Sequence, residues 1–242
     1  MTASGSRGGR PGSRATRRAR DAPSGTGVLA LGDPVYDGAT SAPPGATASR
    51  EGHGVLERLP ASGDEARAVG DVVLVRGDAT EGALVAALAR PARWRAVHLA
   101  CHGLFEAARP EFSSLALTPD AADDGFLTAL EVSRLTVATD LVVLSACSTG
   151  RGRVVRGEGA IGLARAFQRA GAPRVVCALW KVNDAASAAF MTRFYAAYRP
   201  RDGTAPKSAA AALRDAQAAV ASDPHFAHPV FWAAWVLWGR PD

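Results

Sequence analysis

At 242 residues, 48% hydrophobic and 21% charged, the chain has the length and composition of one globular domain with a sizeable core. The formal net charge of +5 is accounted for by six arginines against Asp21 within Met1–Gly27. The basic character therefore belongs to a tail, and the folded body carries no electrostatic footprint for nucleic acid. No apolar run approaches the ~20 residues of a membrane span. The three cysteines, Cys101, Cys147 and Cys177, lie in or at the end of apolar runs without metal-ligand spacing, which argues against a disulfide framework and fits a reducing, cytoplasmic setting.

Met1–Gly27 is rich in Gly, Ser, Arg and Pro, has no apolar periodicity, and is expected to be a disordered tail, either a linker or a start lying inside a longer gene. It lacks the apolar core of a secretory signal. The folded unit is expected over residues 28–242, and from Val28 strand and helix signals alternate. Val28–Leu31 reads as a strand ending at Gly32-Asp33-Pro34, and Tyr36 to about Ser62 as a long loop. A short helix is expected over Asp64–Val69, capped by Ser62 or Asp64, and then a strand over Asp71–Val75. Thr80 caps a helix through Ala89, and Ala96–Cys101 reads as an apolar strand ending at His102-Gly103.

Ser114–Leu117 and Gly125–Leu127 form an expected hairpin around Asp124-Gly125. Thr128 and Glu131 have capping-box spacing before a helix over Ala129–Leu135. Leu141–Ala146 is a second apolar strand, ending at Cys147-Ser148-Thr149-Gly150. A helix over Ala160–Ala170, a buried strand over Arg174–Trp180, a helix capped by Asp184 through Tyr198, a helix from Ser208 to about Val220 and an aromatic strand over Val230–Leu237 complete the pattern. Short strands alternating with helices predict an α/β fold with a mostly parallel central sheet covered on both faces.

In such sheets functional groups gather at the carboxyl ends of the strands. If the strands ending at His102 and Cys147 are neighbours, an imidazole faces a thiol, the arrangement of an activated cysteine nucleophile. Two other readings compete. Cys147 to Arg153 matches the Cys-x5-Arg of a phosphate-cradling loop, but the next helix begins too late for Arg153 to grip an anion at its start. Gly157-Glu158-Gly159-Ala160-Ile161-Gly162 matches a dinucleotide fingerprint, but about ten residues separate it from its strand and no acid closes the next one. Gly162 is instead expected to let the helix pack closely on the sheet, with Leu163 and Phe167 on its buried face.

Ala100-Cys101-His102-Gly103, Leu141 to Gly150, Gly157-Glu158-Gly159, Leu163-Ala164-Arg165-Ala166-Phe167, Leu179-Trp180-Lys181-Val182-Asn183-Asp184 and Pro229-Val230-Phe231-Trp232-Ala233-Ala234-Trp235 together resemble the core of CHAT domains. These are caspase- and separase-like cysteine peptidases often fused to tetratricopeptide repeats. The resemblance runs from about Val28 to Gly239 and implies a caspase-like three-layer α/β/α sandwich. It implies peptide hydrolysis through an acyl-enzyme thioester, with His102 as base, Cys147 as nucleophile, the Gly103 and Cys147 N–H groups as oxyanion hole, and no metal or organic cofactor. A protein or peptide substrate and a repeat-containing or sensor partner are the implied company. Longer members carry a further N-terminal α/β portion, so the alternative is a catalytically silent interaction module that needs a partner.

Asp184 reads first as a helix cap and second as a pocket carboxylate favouring a basic side chain; Glu158 reads equally as a solvated loop residue or a substrate contact. Cys101, Cys177 and His98 read as core, and Trp180, Trp232, Trp235 and Trp238 as packing residues. His225 and His228 have no metal partner at useful spacing.

Overall fold

The computed structural model describes residues 24–36, 56–106, 109–145, 147–148 and 158–240, with 147–148 and 158–159 described by their backbone. The Met1–Gly27 tail reading and the loop after Tyr36 lie mostly outside these residues. Gly25 and Thr26 are docked: the Gly25 N–H donates to Asp140 Oδ2 at 2.8 Å and the Thr26 N–H to the Arg93 carbonyl at 3.0 Å.

Six strands form the main sheet: β1 (Val28–Pro34), β2 (Val72–Arg76), β3 (Ala96–Ala100), β7 (Val142–Leu144), β9 (Arg174–Ala178) and β10 (Trp235–Gly239). Their spatial order is β10-β9-β7-β3-β1-β2, parallel except for β10, which runs antiparallel to β9 at one edge. The helices are α1 (Pro60–Val69), α2 (Glu81–Leu88), α3 (Ala129–Val132), α4 (Glu158–Arg169), α5 (Asp184–Tyr198) and α6 (Ala209–Ala221).

The period-2 geometry of a strand sends alternate residues to opposite faces, and it divides the core in two. Leu29, Leu31, Val97, Leu99, Val142 and Leu144 pack with Leu84 and Leu88 of α2 and Leu163 and Phe167 of α4. Val28, Ala30, Ala96 and Val143 pack on the other face with Ala66 of α1, Phe190 and Phe194 of α5, Ala212 of α6 and Trp235. Both faces are apolar because both are covered, and the result is the three-layer sandwich that the sequence pattern predicts. Among the described residues no helix is long and apolar enough to cross a membrane.

A second sheet decides where the chemistry sits. It has the order β6-β5-β4-β8, with β4 (His102–Leu104), β5 (Ser114–Ala116), β6 (Phe126–Thr128) and β8 (Cys147–Ser148). The expected hairpin is β5–β6, antiparallel, with Gly125 at φ +80° in its turn. β3 stops at Ala100, and after Cys101 the chain re-enters as β4 in the second sheet; β7 stops at Leu144 and re-enters as β8. Two neighbouring strands of the first sheet thus change sheets at the same level and remain neighbours. This corrects the reading of each as one strand running up to its reactive residue.

Other local expectations hold or shift for identifiable reasons. Thr80 accepts from the Ala83 N–H at 3.1 Å, Ser208 accepts from the Ala211 N–H at 3.2 Å, and Thr128 and Glu131 form the reciprocal capping box. α3 ends at Val132 rather than Leu135. α1 begins at Pro60, whose fixed φ and missing N–H suit the first helical position, so the helix starts earlier than the expected Asp64. The cap of α5 is Asn183, whose side chain accepts from the Ala185 and Ala186 N–H groups; Asp184 is the first helical residue. A 3-10 turn over Pro229–Phe231 delays the last strand to Trp235. Gly162 makes its close approach to Pro110, where an added Cβ would meet the Pro110 Cβ and carbonyl at 3.3 Å, and not to the sheet. Leu163 and Phe167 are buried as expected.

Candidate active site

β4 and β8 pair in parallel, with His102 opposite Cys147 and Gly103 opposite Ser148. Adjacent strands lie about 4.8 Å apart, so the backbone sets residues 102 and 147 side by side. Gly103 also pairs with Leu115 of β5, and Glu158 is the first residue of α4. The phosphate-loop reading rests on residues 149–153, which lie outside the described residues.

His102 is 5% exposed. Its backbone N–H donates to Tyr36 Oη at 3.4 Å, and the two rings lie 5.1 Å apart at 43°. The ring is oriented by Nε2, which lies 2.6 Å from the Glu57 carbonyl oxygen. A carbonyl only accepts, so Nε2 carries the hydrogen, and in the neutral ring the lone pair sits on Nδ1. Burial pushes the His102 pKa below its ordinary 6.5, and the positive charge of Lys181 adds to this; the Glu57 carbonyl, Asp184 and the Glu57 carboxylate oppose it. In a Cys147→Ala variant, His102 is therefore expected to titrate below 6.5 in a ring-nitrogen NMR titration. The unfolded chain takes up this proton at higher pH than the folded one. The stabilising contribution of neutral His102 is thus complete above about 6.5 and declines as the pH falls below it.

His102 lines a cavity of about 290 Å³ together with Ser145, Lys181, Asp184, Ser187 and Glu65. Of the residues singled out in the sequence, His102 and Asp184 are brought together there. The sequence reading missed Glu65, on α1, which is buried with its Oε1 2.9 Å from Nε2 of fully buried His98. That approach lies off the hydrogen-bond axis and is a close polar contact. His98 Nδ1 in turn sits 3.3 Å from Tyr195 Oη of α5. A histidine inside an apolar strand was the signal that a buried partner had to exist. Glu57 and Arg58, also on the cavity wall, gave no such signal, because a backbone carbonyl has no sequence signature.

Cys101 and Cys177 are free and buried, and burial pushes each thiol up to about 12. Neither has thiolate character near neutral pH. Among the described residues no group of three or more His, Cys, Asp and Glu side chains is placed to hold a metal ion.

The CHAT domain family model matches residues 4–240. This chain belongs to the CHAT domain family. Over 113 residues the CHAT domain is 40% identical to tetratricopeptide repeat protein 28 of Mus musculus and 39% identical to that of Homo sapiens. Each alignment covers 47% of this chain and 4% of the relative's length. Among solved structures, the Arg specific cysteine proteinase gingipain R superposes with a TM-score of 0.53 at 12% identity, covering 88% of the CHAT domain and 45% of that chain. The Saccharomyces cerevisiae separase–securin complex aligns with a TM-score of 0.44 at 16% identity, over 71% of this chain and 10% of that one. The gingipain likeness shows the fold: the CHAT domain has the caspase-like α/β architecture.

Proposed function

We propose that this CHAT domain is a cysteine endopeptidase acting through His102 and Cys147. The observation that carries the reading is the His102 clamp: His102, on a strand in register with Cys147, gives its Nε2–H to the Glu57 carbonyl, which leaves Nδ1 as the free base. His102 Nδ1 takes the Cys147 thiol proton, and the thiolate attacks the substrate's peptide carbonyl. The N–H groups of Gly103 and Cys147 support the oxyanion. Collapse expels the amine, protonated by His102, and leaves a thioester. Water, deprotonated by the same imidazole, then releases the acid and restores the thiol.

Asp184 on the cavity wall and Glu158 at the start of α4 are the proposed substrate contacts. The curated relatives bear the name of a repeat protein and are far longer than this chain, so we place the domain beside tetratricopeptide repeats, in a reducing compartment such as the cytoplasm that keeps its thiols free.

Iodoacetamide labelling against pH, resolved by peptide, tests the reading. Cys147 is expected to react with an apparent pKa below ~8.5, while Cys101 and Cys177 stay protected. Labelling of Cys147 no faster than an ordinary thiol would leave the domain as an interaction module.

A further inference from the structure

The His102 clamp depends on where the Glu57–Arg58 peptide sits, and the structure holds that peptide by an unusual device. Arg58 Nε donates to Asp33 Oδ1 at 2.9 Å and Nη2 donates to Oδ2 at 2.7 Å, a bidentate pair, with Arg76 Nη1 3.5 Å from Oδ1. We propose that Asp33 and Arg58 are positioning residues for His102, locking the Glu57 carbonyl against Nε2–H; this rests on the reading of His102 as the base.

Four observations converge on Asp33. It is the extra residue of a bulge in β1, where Gly32 pairs with Val75 but Pro34 pairs with Arg76. A bulge re-aims a side chain at the cost of a ladder position. Asp33 has φ +46° and Arg76 has φ +57°, and among the described residues these are the non-glycine residues with positive φ. Both lie at the carboxyl ends of neighbouring parallel strands, and both bring their side chains to the same ion cluster.

The main chain is held as well. The Asp33 N–H donates to Ser62 Oγ at 2.8 Å, and that hydroxyl donates to the Leu59 carbonyl at 2.7 Å. Close approach of α1 needs two glycines: a Cβ on Gly32 would stand 2.2 Å from the Ser62 carbonyl oxygen, and one on Gly63 would stand 2.9 Å from the Asp33 Cβ.

Stability alone is a poor explanation. Arg58 is 56% exposed, and ion pairs with so exposed a partner add little to folding. Two left-handed non-glycine residues, by contrast, are strain that clusters at functional sites. What the arrangement does accomplish is geometric. Asp33 is 2% exposed and its carboxyl is held below the usual range, chiefly by the Arg58 hydrogen bond, so it is a buried, ionised anchor. The bidentate fork fixes Arg58 in direction as well as distance, and the next peptide group upstream is the one that grips His102.

The test uses the full chain carrying Cys147→Ala, so that His102 is read without its thiol, and follows the ring nitrogens by NMR. The expected ring is the Nε2–H tautomer with a pKa below 6.5. Arg58→Gln and Asp33→Asn, the latter chosen because Asn tolerates positive φ, are each expected to give a tautomer mixture and, because the Glu57 carbonyl bond holds the pKa up against burial, to lower the pKa further. Arg58→Lys, which keeps the charge but loses the fork, is expected to restore the wild-type tautomer and pKa only in part. With Cys147 restored, Arg58→Gln is expected to slow labelling of Cys147 about tenfold or more at neutral pH. Amide spectra check that each variant is folded. A His102 tautomer and pKa unmoved by both Arg58→Gln and Asp33→Asn would overturn the proposal. Failure of the peptidase reading looks different: His102→Ala then leaves Cys147 labelling unchanged, while the tautomer still answers to Arg58.

Discussion

Replacing His102 with alanine is expected to lower peptide cleavage by roughly 10²–10⁴-fold, the range removed when a positioned general base is lost. The effect should be that large because nothing else among the described cavity residues replaces the imidazole. Asp184 and Glu65 are carboxylates, and Lys181 is a cation that cannot accept a proton in that form. The register of β4 against β8 places His102 beside Cys147 through the backbone, so a substitution at 102 removes the proposed base while the main chain at 147 keeps its pairing. The labelling pKa of Cys147 is expected to rise to the ordinary thiol value of ~8.5 in the same variant. The acid limb of activity follows from the direction of the His102 shift. Burial lowers its pKa, so the neutral, proton-accepting ring persists below pH 6.5, and activity should fall only at pH values under that point. Equal labelling kinetics in wild type and His102→Ala would sink the dyad.

Substituting His98 with leucine should cost about 1–3 kcal/mol of stability, the penalty for leaving a buried polar group, here Tyr195 Oη, without its partner. His98 is fully buried and Glu65 nearly so, and Tyr195 Oη reaches His98 rather than Glu65. After the substitution the Glu65 carboxylate faces an apolar strand with its close polar neighbour gone. The double variant His98→Leu with Glu65→Leu also removes the carboxylate and should regain only part of the loss, since Tyr195 Oη still lacks its His98 partner. Urea unfolding of the two variants measures this; a single-variant loss under about 1 kcal/mol would show that solvent or another group takes over the partnership. Because α1 carries Glu65 and follows directly on Glu57 and Arg58, a destabilised α1 should also loosen the His102 clamp.

The features legible in the sequence were those carried by local rules. Caps at Thr80 and Thr128 can be read because a side chain and the amide it serves lie three residues apart. The layer assignment can be read because alternation within Val28–Leu31 and Ala96–Ala100 already says which residues share a face. His102 and Cys147 stood out as reactive residues at the ends of apolar runs. What was hidden is non-local. The Glu57 carbonyl meets His102 across 45 residues, and Arg58 meets Asp33 across 25. The cap of α5 was assigned to Asp184 because Asn183 and Asp184 are both good caps, and only the backbone path into the helix separates them. The change of sheet after Ala100 had no marker, since β3 and β4 are joined by one small residue and read as a single apolar run.

That paired change of sheet has a consequence for how such a domain can vary. The strands of the six-stranded layer carry fully buried residues such as Leu29, Leu31, Val97, Leu99, Val142 and Val176, whereas the facing residues of the proposed pair belong to strands of three and two residues in the other sheet. Cohesion and the proposed chemistry are thereby allotted to different hydrogen-bonded ladders that share their chain but not their pairing. A substitution in the large layer changes how firmly the domain holds together while leaving the register of residue 102 against 147 alone. A small slide of the short ladder does the reverse, disarming the pair in a molecule that is still fully folded.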